Sequence, residues 1–295
     1  MSCPLAFLRS SMRPLHRRHA NEIGRHHVAQ SQVNAWPKQY IMRLFHSSLV
    51  FISVLIAWFA VSNLGLVSAF LLPSPQRVWS TFITLLSNGK LVQHIGVSLG
   101  RVGAGYAIAV LLALVISLAM INWKALARLL DPPMEFVRQI PPLALMPLLM
   151  LWLGIGETQK IGIIILACFF PIFLSFRGGF AQVDPKLLEV GRAAGFSRMQ
   201  LMRRIAIPAA LPAMFVGLRV GLGYGWRALV GAELIASAAG LGYMILDAQD
   251  LARTDIVLVG VLVIGIIGLL ADSGLKALVR WRFPWLRQEM ELPHA

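Results

Sequence analysis

The apolar positions of this 295-residue chain fall into six segments: about Leu49 to Leu72, Ser98 to Ile121, Pro142 to Leu153, Ile161 to Phe176, Ala213 to Ala236 and Ile256 to Leu275. Within each, apolar character is continuous rather than alternating. Several approach or exceed the ~18 residues that cross a bilayer as a helix. Unbroken apolar runs disfavour a closed barrel of strands, whose faces alternate. In lipid every backbone polar group must be satisfied within its own segment. The pattern therefore predicts an all-α polytopic membrane protein with about six transmembrane helices. Pro73 and Pro75 end the first segment at the membrane surface. Val78, Phe82, Leu85 and Leu86 then recur at helical spacing, predicting a helix over about Pro75 to Ser87 on the outer interface.

Composition agrees. Hydrophobic residues make up 57% of the chain and charged residues 14%, against about 25% charge in an average soluble chain. The net charge of +14 would suggest nucleic acid in a soluble protein. Here no aromatic-basic face accompanies it, so no nucleic-acid partner is expected. The cations mark cytoplasmic loops instead. Candidate inner loops are 1–46, 123–139, 177–212 and 276–295; 73–97, 154–160 and 237–255 lie opposite. The first set holds roughly twenty Lys/Arg and the second about four, Arg77, Lys90, Lys160 and Arg253. That asymmetry places both termini in the cytoplasm. The expected organisation is a basic tail over 1–46, a membrane domain over 47–278 and a second cytoplasmic tail over 279–295.

The tail is Arg/His-rich with one acid, Glu22. It shares its Arg-rich, acid-poor character with transit peptides; a start at Met12 or Met42, with the tail over-extended, is the simpler reading. His16, His19, His26 and His27 lack the Cys or carboxylate neighbours of a metal site. Cys3 and Cys168 are too far apart and too unlike in setting to suggest a disulfide framework.

The stretch from Arg177 to Leu211 is too polar to span and is amphipathic. Asp184 before Pro185 is a helix N-cap with proline at the first helical position. Gly195 breaks that helix and permits a tight turn. Ser197 caps a second helix over about Arg198 to Ile205, which Pro208 is expected to end. Two short helices in an L result. Their apolar ridge suits a groove on a soluble partner or, alternatively, a bed of lipid headgroups.

Within this stretch Glu189-Val190-Gly191, then Gly195, then Ile205-Ala206-Ile207-Pro208, resembles the "EAA" cytoplasmic loop of the permease subunits of binding-protein-dependent ABC importers. Val190 and Gly191 stand where that motif has two alanines, and Gly191 is expected to loosen the first helix by up to ~1 kcal/mol. The likeness covers about residues 49 to 285. It also rests on Leu72-Pro73-Ser74-Pro75 with Ser98-Leu99-Gly100-Arg101-Val102, on Arg138-Gln139-Ile140-Pro141-Pro142 through Pro147 and Trp152-Leu153-Gly154-Ile155-Gly156-Glu157, and on Gly240-Leu241-Gly242-Tyr243-Met244 with Thr254-Asp255-Ile256-Val257. It is nearest to the nitrate/taurine/aliphatic-sulfonate branch.

The resemblance implies a type I importer permease fold, with a coupling loop over 184–210. Glu189, Gly191, Arg192, Gly195, Ser197, Ile205 and Pro208 would face the ATPase. It implies a permease homodimer in the bacterial inner membrane, two ATP-binding subunits carrying ATP and Mg, and a soluble or lipid-anchored substrate-binding protein. No cofactor is expected on this chain, and no catalysis. Asn88-Gly89-Lys90-Leu91 lacks the earlier glycine and the hydroxyl residue of a nucleotide-binding loop.

Two features inside the membrane are candidates for a substrate path. Pro141, Pro142 and Pro147 break the third segment, and broken helices at depth serve either a path or packing. The fifth segment carries Arg219, Arg227 and Glu233, and charges at depth usually face an interior. Arg227 either offers a cation to a passing anion or pairs with an acid such as Glu233. Six residues apart, those two align poorly on one helix, so a partner from another helix is expected. Gly217, Gly221 and Gly225 have the small-xxx-small spacing of close helix packing. Asp272 is expected near the inner surface, hydrated. The expected cargo is a small anion, a sulfonate or nitrate-like. A neutral or cationic solute such as a pyrimidine vitamin precursor is the alternative within transport. A stand-alone carrier or membrane enzyme would need catalytic or relay residues, which are scarce in the spans.

Overall fold

A computed structural model describes residues 49–50 and 52–286. The basic tail, its histidines and the residues beyond 286 lie outside the described residues. The chain divides into two compact units between Val67 and Ser68. The described part of the first holds one apolar helix, α1 (Ile52–Asn63). Over Ile52–Asn63 it rises about 18 Å at ~1.5 Å per residue. The expected first segment ran to Leu72. The helix stops early because Gly65 takes a left-handed conformation (φ 69°), which ends a helical ladder.

The second unit runs α2 (Pro75–Ser87), α3 (Lys90–Asn122), α4 (Lys124–Arg138), a 3₁₀ turn at Pro142–Leu145, α5 (Met146–Leu153), α6 (Glu157–Ala181), α7 (Pro185–Ala193), α8 (Arg198–Leu201), a π-helical turn (Met202–Ala206), α9 (Ile207–Ala236), α10 (Leu241–Asp250) and α11 (Thr254–Arg282). Among the described residues four helices are long and apolar enough to span: α3, α6, the continuous Arg198–Ala236 and α11. The third expected segment is not a straight span. It is the second arm of a pair bent by 91°, α4 and Pro142–Leu153. Among the described residues the six expected helices thus become four long apolar helices, one bent pair and α1.

Helix α6 is the hub. Ile163, Ile164, Cys168, Ile172 and Phe173 are fully or almost fully buried on it, between α3 and α9. Close approach requires small residues opposite. A Cβ on Gly221 would lie 2.5 Å from Ile172, and one on Gly105 2.7 Å from Ile164. The glycine spacing of the fifth segment is therefore a packing surface, as small-xxx-small patterns usually are. The bent pair packs too: Met146 joins Ile163, Ala167, Ala228 and Ala232 in one buried cluster, and Leu143 lies against Gly231.

Two stretches expected as loops are helical. Residues 124–138 form the amphipathic α4, whose Asp131 carboxylate pairs with Arg177 at the end of α6. Residues 241–250 form α10, packed on α9 and α11. Helix α2 matches its sequence expectation, with Ser74 as N-cap and Val78, Thr81 and Leu85 buried.

Candidate functional site: an amphipathic elbow and a cationic cleft

The elbow is built from three local signals. The Asp184 carboxylate accepts from the Lys186 N–H at 2.9 Å and starts α7 after Pro185. Gly195 (φ 77°) closes it: Phe196 N–H donates to Gly191 C=O at 3.0 Å and Gly195 N–H to Arg192 C=O at 2.9 Å. That pair of bonds is the Schellman arrangement, and it satisfies carbonyls a helix end leaves open. Ser197 then caps α8 reciprocally with Gln200, the serine hydroxyl accepting from the Gln200 N–H at 3.3 Å and Gln200 Oε1 from the Ser197 N–H at 2.8 Å.

Pro208 does not end the second arm. Helical structure continues from Arg198 to Ala236, and Pro208 lies within the first turn of α9. Between Met202 and Ala206 the ladder widens, with Ile207 N–H reaching Met202 C=O. A widened turn relieves the clash between a proline ring and the carbonyl four residues back. The second arm of the L is thus an extension of the fifth span itself.

Gly191 explains how the arms join. It is buried, and a Cβ there would lie 2.5 Å from Ile205 Cδ1 and 2.6 Å from Leu201 Cδ2. Residues from the second arm rest directly on the first arm's backbone. The Arg204 guanidinium stacks over Phe196, 5.4 Å from its ring centre. Arg198 donates to Asn122 at 3.0 Å, tying the elbow to the end of α3. The outer face is left apolar: Leu187, Val190 (68% exposed) and Met199 (66% exposed) have no cover. Glu189 and Arg192 are exposed beside them.

A second feature lies along α9 and α11. A cleft of about 1180 Å³ is lined by both helices together with Leu99, Val102, Gly103 and Gln182. Its charged lining is Arg219, Arg227, Lys276 and Arg280 against one carboxylate, Asp272. Asp272 is not simply hydrated. It accepts from Arg219 Nε and Nη2 across the cleft and from Lys276 at 2.8 Å. Arg227 lies 5.5 Å over the Tyr224 ring; among the described residues no carboxylate pairs with it. Of the candidate path residues, the cleft gathers Arg227, with Arg219 of the same segment, but not Glu233. Pro141, Pro142 and Pro147 are absent from its lining, in the bent pair against α6 and α9.

Glu233 sits elsewhere, fully buried, in a network the sequence reading did not assemble. Arg101 of α3, 5% exposed, donates to Glu233 at 2.7 Å and to Ala239 C=O at 2.6 Å. The same guanidinium makes two 2.6 Å bonds to Glu157 at the start of α6. Ser98 and the Gly242 N–H donate to Glu233 at 2.8 and 2.9 Å, and Lys160 donates to Glu157 at 3.1 Å. Glu233 does find its partner on another helix, and that partner is not Arg227. A signal existed: Arg101 is the one Lys, Arg, Asp or Glu in the run 98–121, and such a charge asks for a partner.

Three of the four cations expected on the outer side are likewise engaged. Asp255 accepts from Arg253 at 2.8 and 2.9 Å and from Thr81 at 2.8 Å, with Arg77 4.0 Å away. The Arg253 guanidinium pKa is raised further by that bidentate bond. Among the described residues no three His, Cys, Asp or Glu side chains gather as metal ligands.

Comparison with known proteins agrees with this architecture. The family model for the binding-protein-dependent transport system inner membrane component matches residues 105–283. The taurine transport system permease protein TauC of Escherichia coli (strain K12) is 39% identical over 255 residues, covering 85% of this chain and 92% of that protein. A putative aliphatic sulfonates transport permease protein, SsuC of Bacillus subtilis (strain 168), is 38% identical over 79% of this chain and 85% of its own length. The nitrate import permease protein NrtB of Synechocystis sp. is 31% identical over 68% and 76%. Among solved structures, an amino acid ABC transporter shares the fold, with a TM-score of 0.53 at 19% identity over 68% of this chain and 96% of that one. With four to five apolar spans and an elbow continuous with one of them, the chain belongs to the binding-protein-dependent transport system inner membrane component family, as a permease subunit of an ABC importer.

Proposed function

We propose that this permease carries a small oxyanion, a sulfonate such as taurine or a nitrate-like ion, across the bacterial inner membrane. One observation carries the reading: the cleft between α9 and α11 presents four cations against a single carboxylate. In a partly dry cleft such an imbalance favours an anion over a neutral or cationic solute. The cargoes named for the similar permeases, taurine, aliphatic sulfonates and nitrate, all present an anionic oxygen-bearing group.

ATP and Mg belong to two partner ATP-binding subunits. A soluble or lipid-anchored binding protein delivers the anion, and a second copy of this chain completes the pore. Both termini and the elbow face the cytoplasm. The exposed ridge of Leu187, Val190 and Met199 seats in a groove of the ATPase. Glu189, Arg192, Gly195 and Ser197 shape that contact, while Gly191, Ile205 and Pro208 join it to α9. Helical structure is continuous from Arg198 to Ala236, so displacing the elbow moves the span that carries Arg219 and Arg227. Nucleotide closure in the partner thereby reorients the cleft's cationic wall.

The test is uptake by the complex reconstituted with its ATPase and binding protein, using labelled taurine, nitrate and a pyrimidine in parallel. Anion uptake is expected, and Arg227→Gln should raise its KM by about tenfold. Uptake of the pyrimidine alone would overturn the anion reading. Unchanged uptake and stability in Arg227→Gln would remove Arg227 from the path.

A further inference from the structure

The cleft's cations are not equivalent, and their order along it suggests how an anion leaves. Helices α9 and α11 run antiparallel. Trp226 Nε1 donates to Ile264 C=O at 3.2 Å, Arg219 meets Asp272, and Phe215 packs on Phe283 with ring centres 5.2 Å apart. Read towards the elbow, the cleft presents Arg227, then the Arg219–Asp272–Lys276 triad, then Arg280. Arg227 and Arg219 are eight residues apart on one helix, about 12 Å at 1.5 Å per residue. Among the described residues no carboxylate pairs with Arg227 or Arg280. The middle position alone holds a resident carboxylate. Its members are partly open to the cleft, Arg219 at 52% and Asp272 at 30% exposure.

Resting on the anion reading, we infer that Asp272 is a built-in competitor for the transported anion. It occupies the Arg219 guanidinium when the cleft is empty, yields it to the passing oxyanion and reclaims it to expel that anion towards Arg280. A conducting site must bind well enough to admit a solute and weakly enough to release it. Three uncompensated cations in series would admit an oxyanion and hold it. A carboxylate tethered on the opposite wall weakens only the middle site, and it does so in place, without movement of either helix. Its second partner, Lys276, keeps the displaced carboxylate compensated at 2.8 Å. Asp272 is on this account a specificity-determining residue: it also sets the threshold below which common inorganic anions fail to displace it.

The experiment uses the complete complex in proteoliposomes with labelled taurine and nitrate, and sulfate as competitor. Asp272→Asn should lower the KM for the carried anion by about two- to five-fold, the scale of a partly exposed ion pair. It should lower kcat as release slows, and sulfate should become a stronger inhibitor. Asp272→Glu should restore the wild-type KM and sulfate resistance. In an Arg219→Gln background the KM effect of Asp272→Asn should vanish, because the competed cation is gone. If Asp272→Asn lowers kcat with KM and sulfate inhibition unchanged, or acts equally without Arg219, the pair is only a structural tie and the inference is overturned. If the wild-type complex carries neither anion, the anion reading itself falls, a result distinct from wild-type anion uptake with an inert Asp272.

Discussion

At the residue scale the most consequential group is Arg101. It joins the start of α6 through Glu157, the end of α9 through Glu233 and the following turn through Ala239 C=O. Removing one member of a buried pair costs more than the pair contributes, because a charge is left without compensation. Arg101→Met strands the fully buried Glu233 carboxylate and should destabilise the subunit by about 3–5 kcal/mol, seen as a lower Tm and poor recovery in detergent. An unchanged Tm would mean the carboxylate is compensated otherwise. Gly191 offers the opposite contrast. The atoms that a Cβ there would meet are the ends of flexible side chains, Ile205 Cδ1 and Leu201 Cδ2. Gly191→Ala should therefore be close to neutral, rotamer adjustment offsetting up to ~1 kcal/mol of gained helix propensity. Gly191→Leu should part the two arms and reduce uptake without lowering ATP hydrolysis by the partner. Equal activity of the alanine and leucine variants would contradict this account of the joint.

At the element scale the elbow matters through its continuity with α9. A lever transmits displacement only if its joint resists bending. Here the second arm passes through the widened turn at Met202–Ala206 into the span without a break. Inserting two glycines after Ala206 breaks that continuity and leaves the exposed ridge intact. The expected outcome is an assembled complex whose ATPase turns over with uptake abolished; loss of assembly instead would place the binding determinant in the turn itself. The caps of this elbow were legible beforehand because they depend on neighbours in sequence: Asp184 with Pro185, Gly195, and Ser197 ahead of the second arm. The fate of Pro208 was not. Whether a proline ends a helix depends on whether the preceding turn can widen, and a list of residues does not contain that geometry.

At the scale of the whole molecule, direction can be followed through residues 68–286. Helix α3 ends at Asn122 beside Arg198 of the elbow. Helix α6 begins at Glu157 beside Arg101, in the first half of α3. The stretch between them, including the bent pair, therefore carries the chain back from the elbow end of α3 to the level of Arg101. Helix α11 returns from Asp255 to Phe283, beside Phe215 at the elbow end of α9. In right-side-out vesicles of a cysteine-free background, an impermeant maleimide should label a cysteine at Lys90 and leave those at Met199 and Arg282 unlabelled until the membrane is opened. Labelling at Met199 and Arg282 with Lys90 protected would reverse the topology, and labelling of all three from one side would contradict the crossings themselves.

Hydrophobic run length, charge asymmetry and the local capping signals determined by themselves that this chain is a helical membrane protein with an amphipathic elbow between two spans. Those properties are short-range or additive along the chain. The pairing of charges was decided only in three dimensions. Arg227 and Glu233 are near neighbours in sequence yet belong to different environments, whereas Arg101 and Glu233, 132 residues apart, share a bond. A buried ion must find its counter-charge wherever packing brings one within about 3 Å. Packing of α6 between α3 and α9, set by glycines opposite large side chains, fixes which charges are consumed in the structure and which remain facing the cleft.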